Sequence, residues 1–307
     1  MKYLDYSKLA AFRAQYYPDE NATDYVDVRY FFGPDALNPA TISIRYNHDP
    51  FVLSDPVIDS FAREVSDQMR SEGRLHDGPP VMKLVTYDFD SQSPHLGVQP
   101  TDYALQAGTC FALDFPHRFF HNYGGTLRDY YRQDCTTPTV DNNPLAICLG
   151  VCGCLIVEDN GQKYLLAVKR SGHLASLENT IGPSVAGVVD YSSVHTNLAE
   201  LNESALGLEI EEELFLKREE FAIVPLAWAI ELFRGERPQL FSLIRTNLNR
   251  RSIQIRLESI PQNRREFESF EFVPLDDSYV LDFSHLKAFN YEARMNVMLM
   301  RKYLTVS

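Results

Sequence analysis

The clearest structural signal in the sequence is Leu208-Glu209-Ile210-Glu211-Glu212-Glu213-Leu214-Phe215-Leu216. Glu209, Glu212 and Glu213 stand at positions i, i+3 and i+4, which share one arc of a helix surface. Ile210 points to the opposite side, so the stretch predicts a helix with an apolar face and an acidic face. Carboxylates at this spacing repel one another, so the acidic face needs an explanation.

Two interpretations of the acidic face are open. Runs of glutamate are common on solvated helices, where the side chains bind nothing. Alternatively, hard oxygen ligands on one face suit a magnesium-like ion, which prefers a few carboxylates together with water and substrate phosphate. The flanking sequence favours the second interpretation.

The residues upstream of this stretch form a recognisable order. Residues 163–171 predict a buried strand that ends in Lys169 and Arg170, and residues 181–187 predict a loop in which glycines allow close backbone approach. Asn197 can cap the following helix, and Glu200 then falls at the third helical position, as in a capping box. Strand, glycine loop and acidic helix therefore follow one another.

This order resembles the Nudix hydrolases, whose motif is G-x5-E-x7-R-E-U-x-E-E-x-G-U, where U is a bulky apolar residue. Glu200 is followed by seven residues, the arginine slot, and then Glu209-Ile210-Glu211-Glu212-Glu213, so every acidic slot is filled. Leu216 fills the terminal apolar slot. The resemblance covers residues 145–307 and implies the mixed α/β/α sandwich of that family.

The motif departs from the family pattern at three places. Leu208 replaces the arginine, which in the family orients a neighbouring glutamate, and Phe215 replaces the glycine after the helix. Gly187 lies too far from Glu200, so the loop must carry extra residues at about 190–196. The acidic residues are complete, whereas the surrounding scaffold is degenerate.

The resemblance implies the chemistry of the site. The cofactor would be Mg²⁺ or Mn²⁺, with Glu209, Glu212, Glu213 and the main-chain oxygen of Ala186 as ligands, and with Glu200 as a further catalytic residue. The substrate would be a nucleoside diphosphate joined to another group. A catalytically inactive, nucleotide-sensing Nudix module is the alternative, and Leu208 is its best support because the ligands lose their orienting cation.

A weaker resemblance concerns the UDP-glucose pyrophosphatase branch of the family. Residues 101–109 are similar to the segment that precedes the catalytic domain there. This resemblance implies substrate contacts from Tyr103, Arg170 and Asp190, and Lys169 can supply a second cation. It also implies a nucleotide sugar such as UDP-glucose as the substrate.

The composition limits the classes of partner. The chain has 307 residues, of which 45% are hydrophobic and 12% aromatic, so it can bury a sizeable core. The net charge of −13 argues against general binding to nucleic acid or to an anionic membrane. The apolar runs are too short to span a membrane, no secretion signal is recognisable, and Cys148, Cys152 and Cys154 fit a buried strand. We expect a cytoplasmic protein with a small-molecule substrate.

The polar, proline-bracketed stretch 136–144 predicts a division of the chain. Residues 1–140 would form an α+β extension with a role in substrate binding or homodimerisation, and residues 141–307 the Nudix-like hydrolase domain. The fold class is therefore α/β, of the mixed α+β kind. The aromatic and basic stretch 111–131 is open to two interpretations: a surface that stacks a nucleobase, or a segment that packs between elements.

Overall fold

The computed structural model describes residues 3–5, 26–33, 36–132, 140–172, 174, 177, 179–191, 194–276 and 288–306. The longer elements in this part of the chain are β1 Val26–Phe31, β2 Ser43–Tyr46, α1 Pro56–Ser71, β3 Val81–Asp88, β4 His95–Thr101, α2 Tyr103–Thr109, α3 Leu127–Tyr131, β5 Gly150–Asp159, β6 Gln162–Arg170, β7 Ile181–Gly182, β8 Val185–Val188, α4 Leu198–Glu213, β9 Phe221–Glu231, β10 Arg237–Thr246, α5 Arg250–Ser259, β11 Phe267–Leu275 and α6 Tyr291–Val306. None of the described helices has the length and apolarity required to cross a membrane.

The main sheet has the strand order β1-β9-β10-β5-β6-β11. β10 and β5 run parallel, whereas the other neighbours along this path are antiparallel. A second sheet has the order β2-β4-β3. These mixed sheets, combined with long helices, confirm the predicted mixed α+β class.

Helices cover both faces of the main sheet. Alternate residues of a strand point to opposite faces, and in β10 Leu240 and Ile244 join a hydrophobic cluster that contains residues of α4. Phe241 and Leu243 join a separate cluster that contains residues of α6. The predicted α/β/α sandwich is therefore confirmed.

The main sheet splits at its centre. β5 pairs with β6 only through residues 156–159. Over residues 150–153, β5 pairs instead with β8, while the end of β6 pairs with β7. The segment predicted as a glycine loop is therefore two short strands. They pair with β5 and β6 where these two strands no longer pair with each other.

The N-terminal region is built into the main sheet. β1 is its edge strand, paired with β9. The tip of the β9–β10 hairpin is buried beneath N-terminal residues: Arg128 donates to the Phe233 carbonyl at 2.9 Å, and Asn143 donates to the Gly235 carbonyl at 2.9 Å. The division near residue 140 stays a prediction, and residues 133–139 lie outside the described part of the chain.

The aromatic and basic stretch packs on α1. The Phe120 ring lies 4.8 Å from that of Phe61 and the His117 ring 5.2 Å from it. Arg118 pairs with Glu64 at 2.7 Å. These contacts with α1 favour the packing interpretation, and a stacking surface at residues 115–123 stays a prediction.

Candidate active site

A cleft of about 1250 Å³ opens where the main sheet splits. The N-terminal region forms one wall with residues 73–81 and Phe111, and the C-terminal half forms the rest. Most of the residues predicted from the sequence line this cleft: Tyr103, Arg170, Ala186, Asp190, Glu209 and Glu213.

The cleft brings two carboxylates of α4 together in a poorly solvated place. Burial raises the pKa of Glu209 to about 8, with further contributions from the charges of Glu266, Glu212 and Asp190. Burial, followed by Glu266 and Glu209, also raises the pKa of Glu213 well above its usual range. The Arg170 guanidinium opposes both shifts. Both side chains are half-buried and line the cleft, which favours the metal interpretation over a solvated acidic face for Glu209 and Glu213.

Gly187 allows Glu209 to lie against the backbone of β8. A Cβ atom on Gly187 would be 1.7 Å from the Glu209 Oε1 atom, so any other residue at position 187 would force the Glu209 carboxylate to move. The neighbouring backbone of Ala186 forms a hydrogen bond with the Glu213 carboxylate, and this bond partly opposes the rise in the pKa of Glu213. The two glutamates are therefore positioned by β8, as the close approach predicted for this glycine requires.

Glu212 and Asp190 lie beside this pair. Glu212 is exposed and does not line the cleft, although its charge acts on both Glu209 and Asp190. Burial, followed by the Glu212 charge, raises the pKa of Asp190. Of the three glutamates of the motif, Glu209 and Glu213 therefore line the cleft, whereas Glu212 is exposed beside it.

Two further predicted site residues, besides Glu212, lie outside the cleft lining. The Glu200 carboxylate accepts hydrogen bonds from the backbone and hydroxyl of Thr196 at 3.0 and 2.8 Å, and it holds the entrance to α4. Lys169 points to the surface, where it pairs with Glu268 at 2.7 Å. Glu200 is exposed and is engaged with the residue before the helix cap, and its catalytic role stays a prediction.

Leu208 and Phe215 show how the degenerate scaffold is accommodated. Leu208 is 50% exposed, so half of its side chain is in contact with solvent. Phe215 adopts φ of 57°, the left-handed conformation that glycine provides at this position in the family. The turn after α4 is thus retained without its glycine.

No family model matches the chain, and no curated protein matches it in sequence. Similar solved structures include a mutT/nudix family protein from Listeria innocua, with 14% identity, 52% of this chain and 93% of that chain covered, and a TM-score of 0.35. The NUDIX domain of Shewanella oneidensis NrtR, solved with ADP ribose, shows 14% identity, covers 52% and 89%, and has a TM-score of 0.34. An Ap4A hydrolase from C. elegans shows 15% identity, covers 52% and 98%, and has a TM-score of 0.34.

These neighbours are Nudix proteins, the superfamily that the glutamate spacing resembles. None of the three is a UDP-glucose pyrophosphatase, so that branch stays a prediction. NrtR has also been solved with a 27mer DNA. The absence of a nucleic-acid partner, expected from the net charge, likewise stays a prediction.

The structure adds residues to the site that the sequence analysis missed. Glu266 stands in the loop before β11, lines the cleft, and acts on both half-buried glutamates. Arg234 and Arg237 belong to a hairpin turn that looks solvent-exposed in the sequence, yet their side chains are buried at the floor of the cleft. No local sequence signal identifies them, because their burial depends on the pairing of β9 with β10 and on residues such as Arg128 that cover the hairpin tip.

The acidic residues fit a divalent cation whose remaining coordination positions are filled by water and substrate. Among the described residues, no three His, Cys, Asp or Glu side chains converge as a ready-made metal cage. Magnesium, however, is commonly held by one or two carboxylates together with water and substrate phosphate. The two half-buried carboxylates with raised pKa values supply that number of hard oxygen donors.

Proposed function

We propose that the cleft is the active site of a divalent-metal-dependent hydrolase. Its substrate would be a nucleoside diphosphate joined to another group, with a nucleotide sugar such as UDP-glucose as the model case. The observation that carries the proposal is the pair Glu209 and Glu213, whose side chains are half-buried and line a cleft large enough for a nucleotide. Two crowded carboxylates destabilise a fold unless a cation compensates them or they take up protons.

In this proposal, Glu209 and Glu213 hold Mg²⁺ or Mn²⁺, with the Ala186 main-chain oxygen as a further ligand. Glu212 lies at the rim and contributes its charge. A bound divalent ion neutralises charge on bridging phosphates and lowers the pKa of a coordinated water. Without it, the pKa of Glu209, raised to about 8, keeps this carboxyl largely protonated at neutral pH.

The remaining charged residues of the cleft orient the substrate. Arg170 lies close enough to both glutamates to oppose their pKa shifts, and its guanidinium can bind a phosphate oxygen. Glu266 is exposed to solvent and belongs to the loop before β11 rather than to α4. Its carboxylate can accept a proton from an attacking water. Tyr103 and Asp190 line the same cleft and provide contacts for the rest of the nucleotide.

A non-catalytic sensing module is the second candidate function. The exposure of Glu212 and Leu208 favours it, because fewer ligands face the cleft than the family motif implies. Such a module would bind a nucleotide in the same cleft and release no product. Turnover therefore separates the two candidates.

The test is a substrate screen with Mg²⁺ and with Mn²⁺, read by the masses of the products. The screen includes UDP-glucose, ADP-ribose, diadenosine tetraphosphate and nucleoside triphosphates. A hydrolase releases two phosphorylated products from at least one diphosphate-linked compound, and Glu213→Gln abolishes that release. Binding of a nucleotide without any product above the level of Glu213→Gln would contradict hydrolysis and support the sensing module.

A further inference from the structure

The floor of the cleft carries two polar side chains that the proposed chemistry does not use. Arg237 and Gln239 stand two residues apart on β10, so both point to the same face. They are 3% and 0% exposed, and both line the cleft. Gly150 makes room for them, because a Cβ atom there would lie 2.0 Å from Gln239 Oε1 and 2.1 Å from Arg237 Nη2.

The polar atoms of this floor are not satisfied by the protein. Within the described part of the chain, Arg237 Nε and both amide atoms of Gln239 have no oxygen or nitrogen hydrogen-bond partner. The thiol of Cys152 is beside the Gln239 amide, and a thiol is a weak partner. Buried polar groups are otherwise almost always hydrogen-bonded, so an amide of this kind at a cleft wall indicates a ligand.

The charge of the floor is already balanced. Arg237 lies 3.3 Å from Glu231 and 3.6 Å from Glu292, and Arg234 pairs with the same two carboxylates. The formal charges of these two guanidinium groups and two carboxylates cancel. The aromatic rings of Tyr103 and Phe111, 6.2 Å apart, form part of the same cleft. This environment favours an uncharged group over a phosphate.

We propose that Arg237 and Gln239 form a subsite for an uncharged ring that carries both hydrogen-bond donors and acceptors. Gln239 offers one amide donor group and one acceptor, and Arg237 Nε offers a donor. The sugar or the base of a nucleotide has this chemistry. The subsite deepens the proposed function, on which it rests for the position of the phosphates, because it determines which attached group the cleft accepts.

Gln239→Met tests the subsite, since it removes the hydrogen-bonding amide and approximately keeps the side-chain length. Gln106→Met is the matched control: Gln106 is also 0% exposed with both amide atoms unpaired among the described residues, but it does not line the cleft. Calorimetry on the full chain with Mn²⁺ measures binding of UDP-glucose, ADP-ribose, uridine, glucose and inorganic pyrophosphate, and a melting curve without ligand measures Tm.

We expect Gln239→Met to weaken UDP-glucose or ADP-ribose binding by about tenfold or more, the effect of losing one or two good hydrogen bonds. Pyrophosphate, which has no ring, should be affected far less. Both variants should raise Tm, because each removes an unsatisfied buried amide. Gln106→Met should bind as the wild type does. Loss of uridine binding identifies the nucleoside as the occupant, and loss of glucose binding identifies the attached sugar.

Three results would overturn the subsite: equal weakening for ring-bearing ligands and pyrophosphate, equal weakening in both variants, or a wild type that binds neither UDP-glucose nor ADP-ribose. The proposed function fails differently. If ring-bearing ligands bind and Gln239→Met weakens them, but no product forms, the subsite stands and hydrolysis does not.

Discussion

At the scale of single residues, the spacing of the glutamates predicts which side chains are candidates but not which of them reach the cleft. A helix turns by 100° per residue, so Glu213 lies about 40° from Glu209, whereas Glu212 lies about 60° away on the other side. That difference leaves Glu212 exposed while the other two enter the cleft. Which arc faces the sheet depends on contacts between α4 and β8, and these are not visible in the motif.

Leu208→Arg tests the exposed position in the motif. Because Leu208 is 50% exposed, we expect an arginine there to be solvated and to form an i,i+4 pair with Glu212. The free energy of unfolding should change by less than about 0.5 kcal/mol, and turnover should change by less than about twofold, since arginine at this site faces away from Glu213. Urea unfolding and steady-state kinetics measure both. A large gain in turnover would show that the native site lacks an orienting cation.

At the scale of elements, sequence-local signals predict the long helices and strands well. Asn197 caps α4 as expected, because capping depends only on neighbouring residues. The segment 181–187 is different: its glycines suggest a loop, yet it pairs as β7 and β8. Those strands are too short to carry a periodic pattern, so only their distant partners define them.

Gly187→Ala tests how β8 positions the glutamates. The added methyl would occupy the place of the Glu209 carboxylate, so we expect Mn²⁺ affinity to fall at least about tenfold, the equivalent of one lost charge-assisted interaction. Gly207→Ala is the control on α4, since a Cβ there meets no atom within 4 Å, and alanine should stabilise the helix by about 0.5–1 kcal/mol. Calorimetry and melting curves measure these effects. Equal metal affinity in both variants would show that β8 does not position the metal-binding glutamates.

The contact between α5 and the start of β9 predicts a pH dependence of stability. Hydrogen bonds from Arg256 and from the Lys217 backbone lower the pKa of Glu220 to about 2. A lowered native pKa means that this stabilisation is complete above about pH 4.5, the usual value, and disappears as pH falls towards about 2. Glu220→Gln should therefore cost about 1 kcal/mol at pH 7 and almost nothing near pH 2.

Urea unfolding at several pH values measures this dependence, with Glu219→Gln as the control for loss of an exposed neighbouring charge. A stability difference between wild type and Glu220→Gln that is the same at both ends of the pH range would contradict the role of the Arg256 contact.

At the scale of the whole molecule, the role of the N-terminal half is the feature that the sequence predicts least. The hairpin turn at residues 234–237 is highly charged, and such turns are usually solvated. Here Arg128 and Asn143 cover it, and the buried ion pairs of the cleft floor follow from that cover. These contacts join residues about 90 to 105 positions apart, and local patterns carry no information about them.

A fragment that begins at Asn142 tests this dependence. The fragment lacks β1 and Arg128, although it keeps Asn143, so the edge of β9 and part of the buried hairpin turn would be exposed to water. We expect it to lose the cooperative thermal transition of the full chain, as followed by circular dichroism. A fragment that melts cooperatively and turns over substrate with an unchanged KM would show that residues 142–307 fold alone and that the N-terminal half serves another partner.

Glu209 and Glu213, the half-buried pair on α4, are proposed to bind a divalent metal. Calorimetric titration of the full chain with Mn²⁺ tests this claim most directly, with Glu209→Gln, Glu213→Gln and, as the control, Glu211→Gln on the exposed side of the same helix. We predict that either of the first two variants weakens Mn²⁺ binding by at least about tenfold, whereas Glu211→Gln binds as the wild type does. Equal affinity in all four proteins would contradict the claim and leave these glutamates without a metal.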